Sequence, residues 1–274
     1  MKKISFLLFA TMITTLTTRA STISFLAEND SSENNILIEA EANYLRHYIW
    51  RAAEFGSNDV SQSFLYFEYK KWSVNFGVNC NFNPKNLPSE YYTHPVVYDE
   101  QDFQLTYTDK YKKLKYELNW YTYKYFFQIN SPSTSEISAK LTYPLNEHFN
   151  LISENVGDIW SYKGSFYSCS GLETTFTLFK KLEFDWNFYD GFGNRNFNNA
   201  YYSDAAKWVN YIGTNCEINI PLKHDYYIKG FLEYNLYTSQ HAINFTGINH
   251  TSNFGLSIGK DITISLKHKS PSIK

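Results

Sequence analysis

Cysteine is scarce in this chain: Cys80, Cys169 and Cys216 are its only three, odd in number and far apart. They suit neither a disulfide framework nor a zinc site, both of which need closely paired thiols. Long apolar runs are also missing. Beyond residue 20 no stretch approaches the ~20 apolar residues that a membrane helix needs, and mean hydropathy is −0.43. A helical membrane protein is thereby excluded, whereas a membrane β-barrel is not, because its alternating strands average out to moderate hydropathy. Positive charge is not in excess: 25 Lys and Arg against 27 Asp and Glu leave a net charge of −2. Without a basic stripe, nucleic acid is not an expected partner. No GxSxG, HExxH, P-loop or GxGxxG motif occurs, so no enzyme activity, cofactor or metal is expected.

Aromatic residues, by contrast, are abundant: 24 Tyr, 22 Phe and 6 Trp make up 19% of the chain. They favour strands, and they collect where a protein crosses a lipid–water interface. The N-terminus differs from the rest. Lys2 and Lys3 precede a mostly apolar run from Ile4 to Thr15, and Thr18 and Ala20 place small residues where a signal peptidase reads. This pattern predicts a secretory signal peptide over residues 1–20. A polar segment over 21–34 then leads into a single β domain over 35–274.

Period-two alternation runs through that domain. In KWSVNFGVNCNF (71–82), Trp72, Val74, Phe76, Val78, Cys80 and Phe82 share one face, and Ser73, Asn75, Gly77, Asn79 and Asn81 share the other. About thirteen such segments can be marked, the first over 36–51 and the last two over 254–258 and 262–266. Single-chain barrels have even strand numbers, so either residues 22–26 add a strand or those last two segments are one kinked strand. Short turns are predicted at 69–71, 109–110, 144–146, 180–181, 221–224 and 260–261. Longer loops alternate with them, at 52–59, 83–98, 128–135, 157–164, 191–207 and 238–252. Outer-membrane barrels alternate in this way, with short periplasmic turns and long external loops. The predicted fold is all-β: an antiparallel up-and-down transmembrane β-barrel of about 12 strands, within a range of 12–14.

The two rows divide the residues by expected environment. The polar row predicts a lumen lined by Glu39, Glu41, His47, Arg51, Asn75, Asn79, Lys113, Lys115, Glu117, Lys140, Glu173, Glu183, Asp185, Glu217, Lys229 and Glu233. The apolar row predicts that Trp72, Val74, Phe76, Val78, Phe82, Leu118, Trp120, Phe184, Trp186, Ile228 and Leu232 face lipid. Tyr48, Trp50, Trp120, Tyr121, Tyr123, Tyr125, Phe126, Phe127, Phe188, Tyr189, Tyr201, Tyr202 and Trp208 adjoin long loops, and are expected to form an outer aromatic girdle.

Three blocks carry a family resemblance. YLRHYIWR (44–51) resembles the YxWRG signature near the start of the TorF-like porin family, with Ala52 at the position of the signature's glycine. GDIWSYKGSFYSCSGLETTFTL (157–178) is similar to that family's acidic loop and following strand. LEFDWNFYDGFGN (182–194) is similar to the strand and D-G loop that come next. The likeness extends weakly over most of the mature chain and implies a signal-bearing outer-membrane barrel.

Carboxylates outnumber bases on the polar rows, and rings of acidic side chains favour cations in a pore. The expectation is a small porin-like passive channel of the bacterial outer membrane, cation-preferring, with lipid and small hydrophilic solutes or ions as its partners. Alternatively, opposite charges pair across the lumen and hold a structural or adhesive barrel shut. A soluble secreted barrel around a small apolar ligand is a third reading. It must bury a dozen apolar rows inside, each large side chain contributing about 1.5–3 kcal/mol, in an interior too wide for one small pocket. A Ser–His–Glu set could be assembled from Ser61 or Ser63, His47 and Glu39, but a triad is defined by geometry rather than sequence.

Overall fold

A computed structural model of the protein describes residues 35–56, 59–82, 96–126, 132–179, 182–201, 208–238, 243 and 248–266. The signal peptide expected over 1–20, the polar segment over 21–34, Phe127 and Tyr202 lie outside the described residues. Twelve strands form the wall: β1 (Asn35–Leu45), β2 (Val60–Tyr69), β3 (Trp72–Phe82), β4 (Val96–Tyr111), β5 (Leu114–Tyr125) and β6 (Thr134–Pro144), then β7 (Phe149–Asp158), β8 (Phe166–Leu178), β9 (Leu182–Asn194), β10 (Trp208–Pro221), β11 (Tyr226–Tyr237) and β12 (His250–Ser265). Each pairs antiparallel with its neighbours in sequence, and β12 returns to β1 to close the barrel.

All the long connections lie at one end and the short turns at the other. Two of the tightest turns hold Lys70 and Lys112 at φ 57°, between the paired residues Tyr69 and Trp72 and between Tyr111 and Leu114. The turn expected at 109–110 therefore lies further on, at 112–113. Asp109 is a strand residue opposite Tyr116, and its carboxylate takes a 2.8 Å hydrogen bond from Lys71 Nζ. That bond raises the Lys71 ammonium above its ordinary pKa. No turn occurs at 260–261 either. Lys260 pairs with Tyr226 and lies over its ring at 4.7 Å, so the two closing segments are one strand, β12.

The barrel is inside-out relative to a soluble protein. Its outer face exposes large apolar side chains on strand after strand: Trp72 is 52% exposed, Trp186 50% and Leu232 64%. Its interior is polar, with Glu117 2% exposed, Glu136 1% and Asn235 0%. Exposed apolar side chains on this scale mark a surface that meets a membrane or a partner.

The seam between first and last strands is closed by side chains reaching across β12. The inward row of β12 is small, with Gly255, Ser257 and Gly259 opposite Phe231, Lys229 and Tyr227 of β11. A Cβ on Gly259 would lie 2.1 Å from the Tyr227 ring, so only glycine lets that ring lie flat over β12. Tyr227 Oη consequently reaches Glu39 and, at 2.6 Å, Glu41 on β1. Lys229 Nζ follows the same path to Glu41 at 3.1 Å and is 3.6 Å from Glu217. These are buried charges in a low-dielectric wall, where an ion pair is costly to break from one side.

Candidate functional site: the lumen and its inner hairpin

After Leu45 the chain leaves the wall. Arg46 N donates to Phe254 O at 3.1 Å, and His47 N donates to Asn253 Oδ1 at 3.0 Å. Residues Tyr48–Trp50 and Ala53–Gly56 then pair as a small hairpin, with Ile49, Trp50 and Ala52 buried. The first strand therefore ends at Leu45 rather than at 51, and Tyr48 and Trp50 are not in an outer girdle. The apolar alternation persists through the bend, so the pattern alone does not reveal that the chain has turned inward.

Contacts on opposite walls fix the hairpin tip. Arg51 makes a bidentate pair with Glu136 of β6, at 2.8 and 2.7 Å. Its guanidinium also lies 3.9 Å from the Trp50 ring centre and 4.7 Å from that of Tyr167. Across the lumen, Tyr237 Oη donates to Ala52 O at 2.7 Å. A short helix, α1 (Arg195–Tyr201), follows β9. It is started by Asn194, whose Oδ1 accepts from Phe197 N at 2.9 Å, as an N-cap side chain does. The helix delivers Phe197, stacked on Trp50 at 6.1 Å and on Tyr167 at 5.4 Å. Trp50, Ala52, Phe197, Val156 and the tyrosines 123, 167, 211 and 237 form one buried cluster at the long-loop end of the barrel.

Much of the tyrosine excess is thus internal. Tyr121, Tyr123 and Tyr125 lie on the row of Glu117 and Asn119, and Tyr189 lies on that of Asp185 and Asn187. They are corrections to the expected girdle, whereas Trp120 and Phe188 are exposed on the outer face. Tyrosine suits an interior because its hydroxyl finds a partner while its ring fills space. Tyr123 donates to Glu136 at 3.3 Å and Tyr189 to Asn235 at 3.1 Å, and the Tyr167 and Tyr211 hydroxyls meet each other. Sequence pattern places Glu136 on the inward acidic row without revealing its pairing with Arg51, and it missed Phe197 and the inner tyrosines as site residues. The only available signal was that Tyr123 shares a row with Glu117.

Below the cluster the lumen holds a cavity of about 610 Å³. It reaches the short-turn end at Asn35, Lys70, Lys71 and Thr263 and meets the hairpin at Trp50 and Arg51. Of the residues expected in the lumen, Glu39, Arg51, Asn75, Lys115, Glu117, Lys140, Glu173 and Glu233 line this cavity. Glu41, Asn79, Asp185 and Lys229 are buried in the barrel interior, and Glu183 and Glu217 are half-buried there. His47 is half-buried beside an outer-face groove that also contains Trp186 and Leu232. Lys113 is a correction: it sits exposed in the β4–β5 turn, because β4 runs longer than its pattern indicates. On the outer face, Trp72, Phe76, Leu118, Trp120, Trp186, Ile228 and Leu232 are exposed, and Val74, Val78, Phe82 and Phe184 are partly so. The Ser–His–Glu set is not assembled. Ser61 and Ser63 share the row of Tyr44 and Ala42, opposite to that of Glu39.

No protein-family model and no curated protein sequence matches the chain. Similar solved structures include outer-membrane porins and channels. The KdgM porin is 6% identical with a TM-score of 0.48, over 82% of this chain and 98% of that one. The NanC porin is 12% identical with a TM-score of 0.45, over 84% and 99%. An outer membrane channel from Pseudomonas putida F1 is 7% identical with a TM-score of 0.46, over 83% and 94%.

Proposed function

We propose that the protein is a small porin-like passive channel of the bacterial outer membrane, exported by residues 1–20 and spanning the bilayer with its β domain. The observation that carries this reading is the inside-out barrel around a polar cavity. Exposed Trp72, Phe76, Trp120, Trp186 and Leu232 would meet lipid, and the carboxylate-rich interior would meet water. Strands of 10–16 residues suffice, since a tilted β-strand crosses the hydrocarbon in about 9–11. The hairpin and α1 pack on each other at the outer end through Trp50 and Phe197, and on this reading conduction requires them to move.

The resemblance to the TorF-like porins gains support from the hairpin tip. Ala52 has φ 64°, the left-handed region in which glycine carries no Cβ penalty. It occupies the place of glycine in the YxWRG signature. The packed aromatic cluster favours a second reading, a non-conducting structural barrel.

The lumen's carboxylates favour cation preference, and the measurement is the reversal potential of the refolded protein in a planar bilayer under a KCl gradient. Its sign is expected to show K⁺ more permeant than Cl⁻. An anion-selective sign would overturn the preference, and silence at every voltage, even with the hairpin loosened, would favour the structural barrel.

A further inference from the structure

We propose that the rim formed by the β2–β3 and β4–β5 turns docks on anionic phospholipid headgroups of the periplasmic leaflet. This goes beyond the channel reading and rests only on its membrane-spanning part.

Three short turns share one sequence pattern: YKKW (69–72), YKKL (111–114) and FKKL (179–182). An aromatic residue ends one strand, two lysines make the turn, and a large apolar residue opens the next. Lys180 and Lys181 lie outside the described residues, so the first two turns carry the structural argument. They are neighbours in the wall: Trp72 pairs with Tyr107, and Thr108 N donates to Lys71 O at 2.8 Å.

Together they gather Lys70, Lys71, Lys110, Lys112 and Lys113 on one side of the rim, all exposed. Asp109 is the only carboxylate within residues 69–72 and 109–114, and it is held by Lys71 at 2.8 Å. The adjoining Glu68 faces the cavity. Among the described residues Lys70, Lys112 and Lys113 have no carboxylate partner. The patch is therefore strongly positive, whereas the β6–β7 turn carries Glu147 and no lysine.

Its place in the barrel selects a lipid headgroup as the anion. Tyr69, Trp72 and Tyr111 end the apolar wall here, 40, 52 and 66% exposed. Lys70 Nζ lies 5.2 Å from the Tyr69 ring centre, and Lys112 Nζ lies 5.4 Å from that of Tyr111. Ring and ammonium thus stand side by side at the edge of the band. Such rings settle at the lipid–water boundary, and the lysines then meet the layer that holds the phosphates. Backbone geometry gives a second reason. Lys70 and Lys112 both have φ 57°, where a two-residue hairpin turn ordinarily takes glycine or asparagine. Lysine occupies these positions against the backbone preference, so its charge is what the turns supply.

The test uses the full mature chain with Trp72 as its one retained tryptophan. It is refolded into vesicles of equal parts phosphatidylcholine and phosphatidylglycerol, with bromine on the acyl chains of one lipid at a time. Quenching should show phosphatidylglycerol enriched around Trp72 by about fivefold or more, the effect of even one lysine near an anionic surface. Replacing Lys70, Lys112 and Lys113 together by Gln should bring the ratio below about twofold, as should raised salt. A ratio near one with the lysines intact, or a ratio unchanged by the triple replacement, would overturn the proposal. So would lysine-dependent sedimentation with purified peptidoglycan in the absence of a lipid preference, which would assign the lysines to the cell wall. Quenching by neither brominated lipid contradicts the spanning wall itself, whereas equal quenching by both leaves the wall standing and removes only the headgroup site.

Discussion

Replacing Arg51 by alanine is expected to unlock the barrel. Its guanidinium is paired bidentately with Glu136, whose side chain is 2% exposed. Removing one partner of a buried pair costs about 3–5 kcal/mol, because the other charge is left behind in a dry site. Here the chain has a way out other than unfolding. The wall is held by its own backbone ladder, and the hairpin tip is held by side chains. The cost therefore falls on the closed arrangement, and at about 1.4 kcal/mol per factor of ten it shifts the ratio of open to closed by roughly a hundredfold or more. Planar-bilayer recording of Arg51→Ala should show open time rising steeply over the unaltered protein. Glu136→Gln, which keeps a hydrogen-bonding group for Arg51, should rise less. An open fraction unchanged in Arg51→Ala would mean that the hairpin is not the gate.

The second large effect is expected at the seam. Lys229 is 3% exposed and faces Glu41 at 3.1 Å, Glu217 at 3.6 Å and Glu39 at 4.0 Å. Lys229→Met preserves the stem and most of the packing but leaves adjacent carboxylates facing one another without a cation. A loss of about 3–5 kcal/mol follows from the one-sided break of a buried pair. It should be read from urea unfolding of the protein reconstituted in lipid vesicles. Adding Glu41→Gln to Lys229→Met should restore part of the loss, since one uncompensated charge is then gone. A loss below about 1 kcal/mol, the range of a surface pair, would show that the seam charges are hydrated and unimportant.

The wall was legible in the sequence because a strand exposed to two different media must alternate. In β3, Trp72, Phe76 and Asn75 declare their faces residue by residue, and the lengths of the connections place both ends. The plug was not legible, and the reason is physical. Tyr48, Ile49 and Trp50 carry the same residue types that an outer girdle would. An aromatic side chain is equally at home against lipid headgroups and against Phe197. What separates the two settings is the contact of Arg51 with Glu136, 85 residues away, and no local pattern encodes that pairing. The tyrosines show the same ambiguity. Tyr123 alternates correctly with the outer row, but its amphipathic ring let it be read as a boundary residue when it lies inside. The seam was hidden for another reason. Gly255 and Gly259 look like weak points in a strand, and their purpose becomes visible only with Phe231 and Tyr227 beside them.

The central claim is that lipid meets the apolar row while Trp50 is shut inside the barrel. Tryptophan fluorescence in vesicles with brominated acyl chains tests it most directly, using variants that each retain one of Trp50, Trp72, Trp120 and Trp186. Quenching is expected at Trp72, Trp120 and Trp186, which are 52, 44 and 50% exposed, and Trp50 should remain bright. Quenching of Trp50 as strong as that of Trp120, or no quenching at any of the three outer tryptophans, would contradict the account.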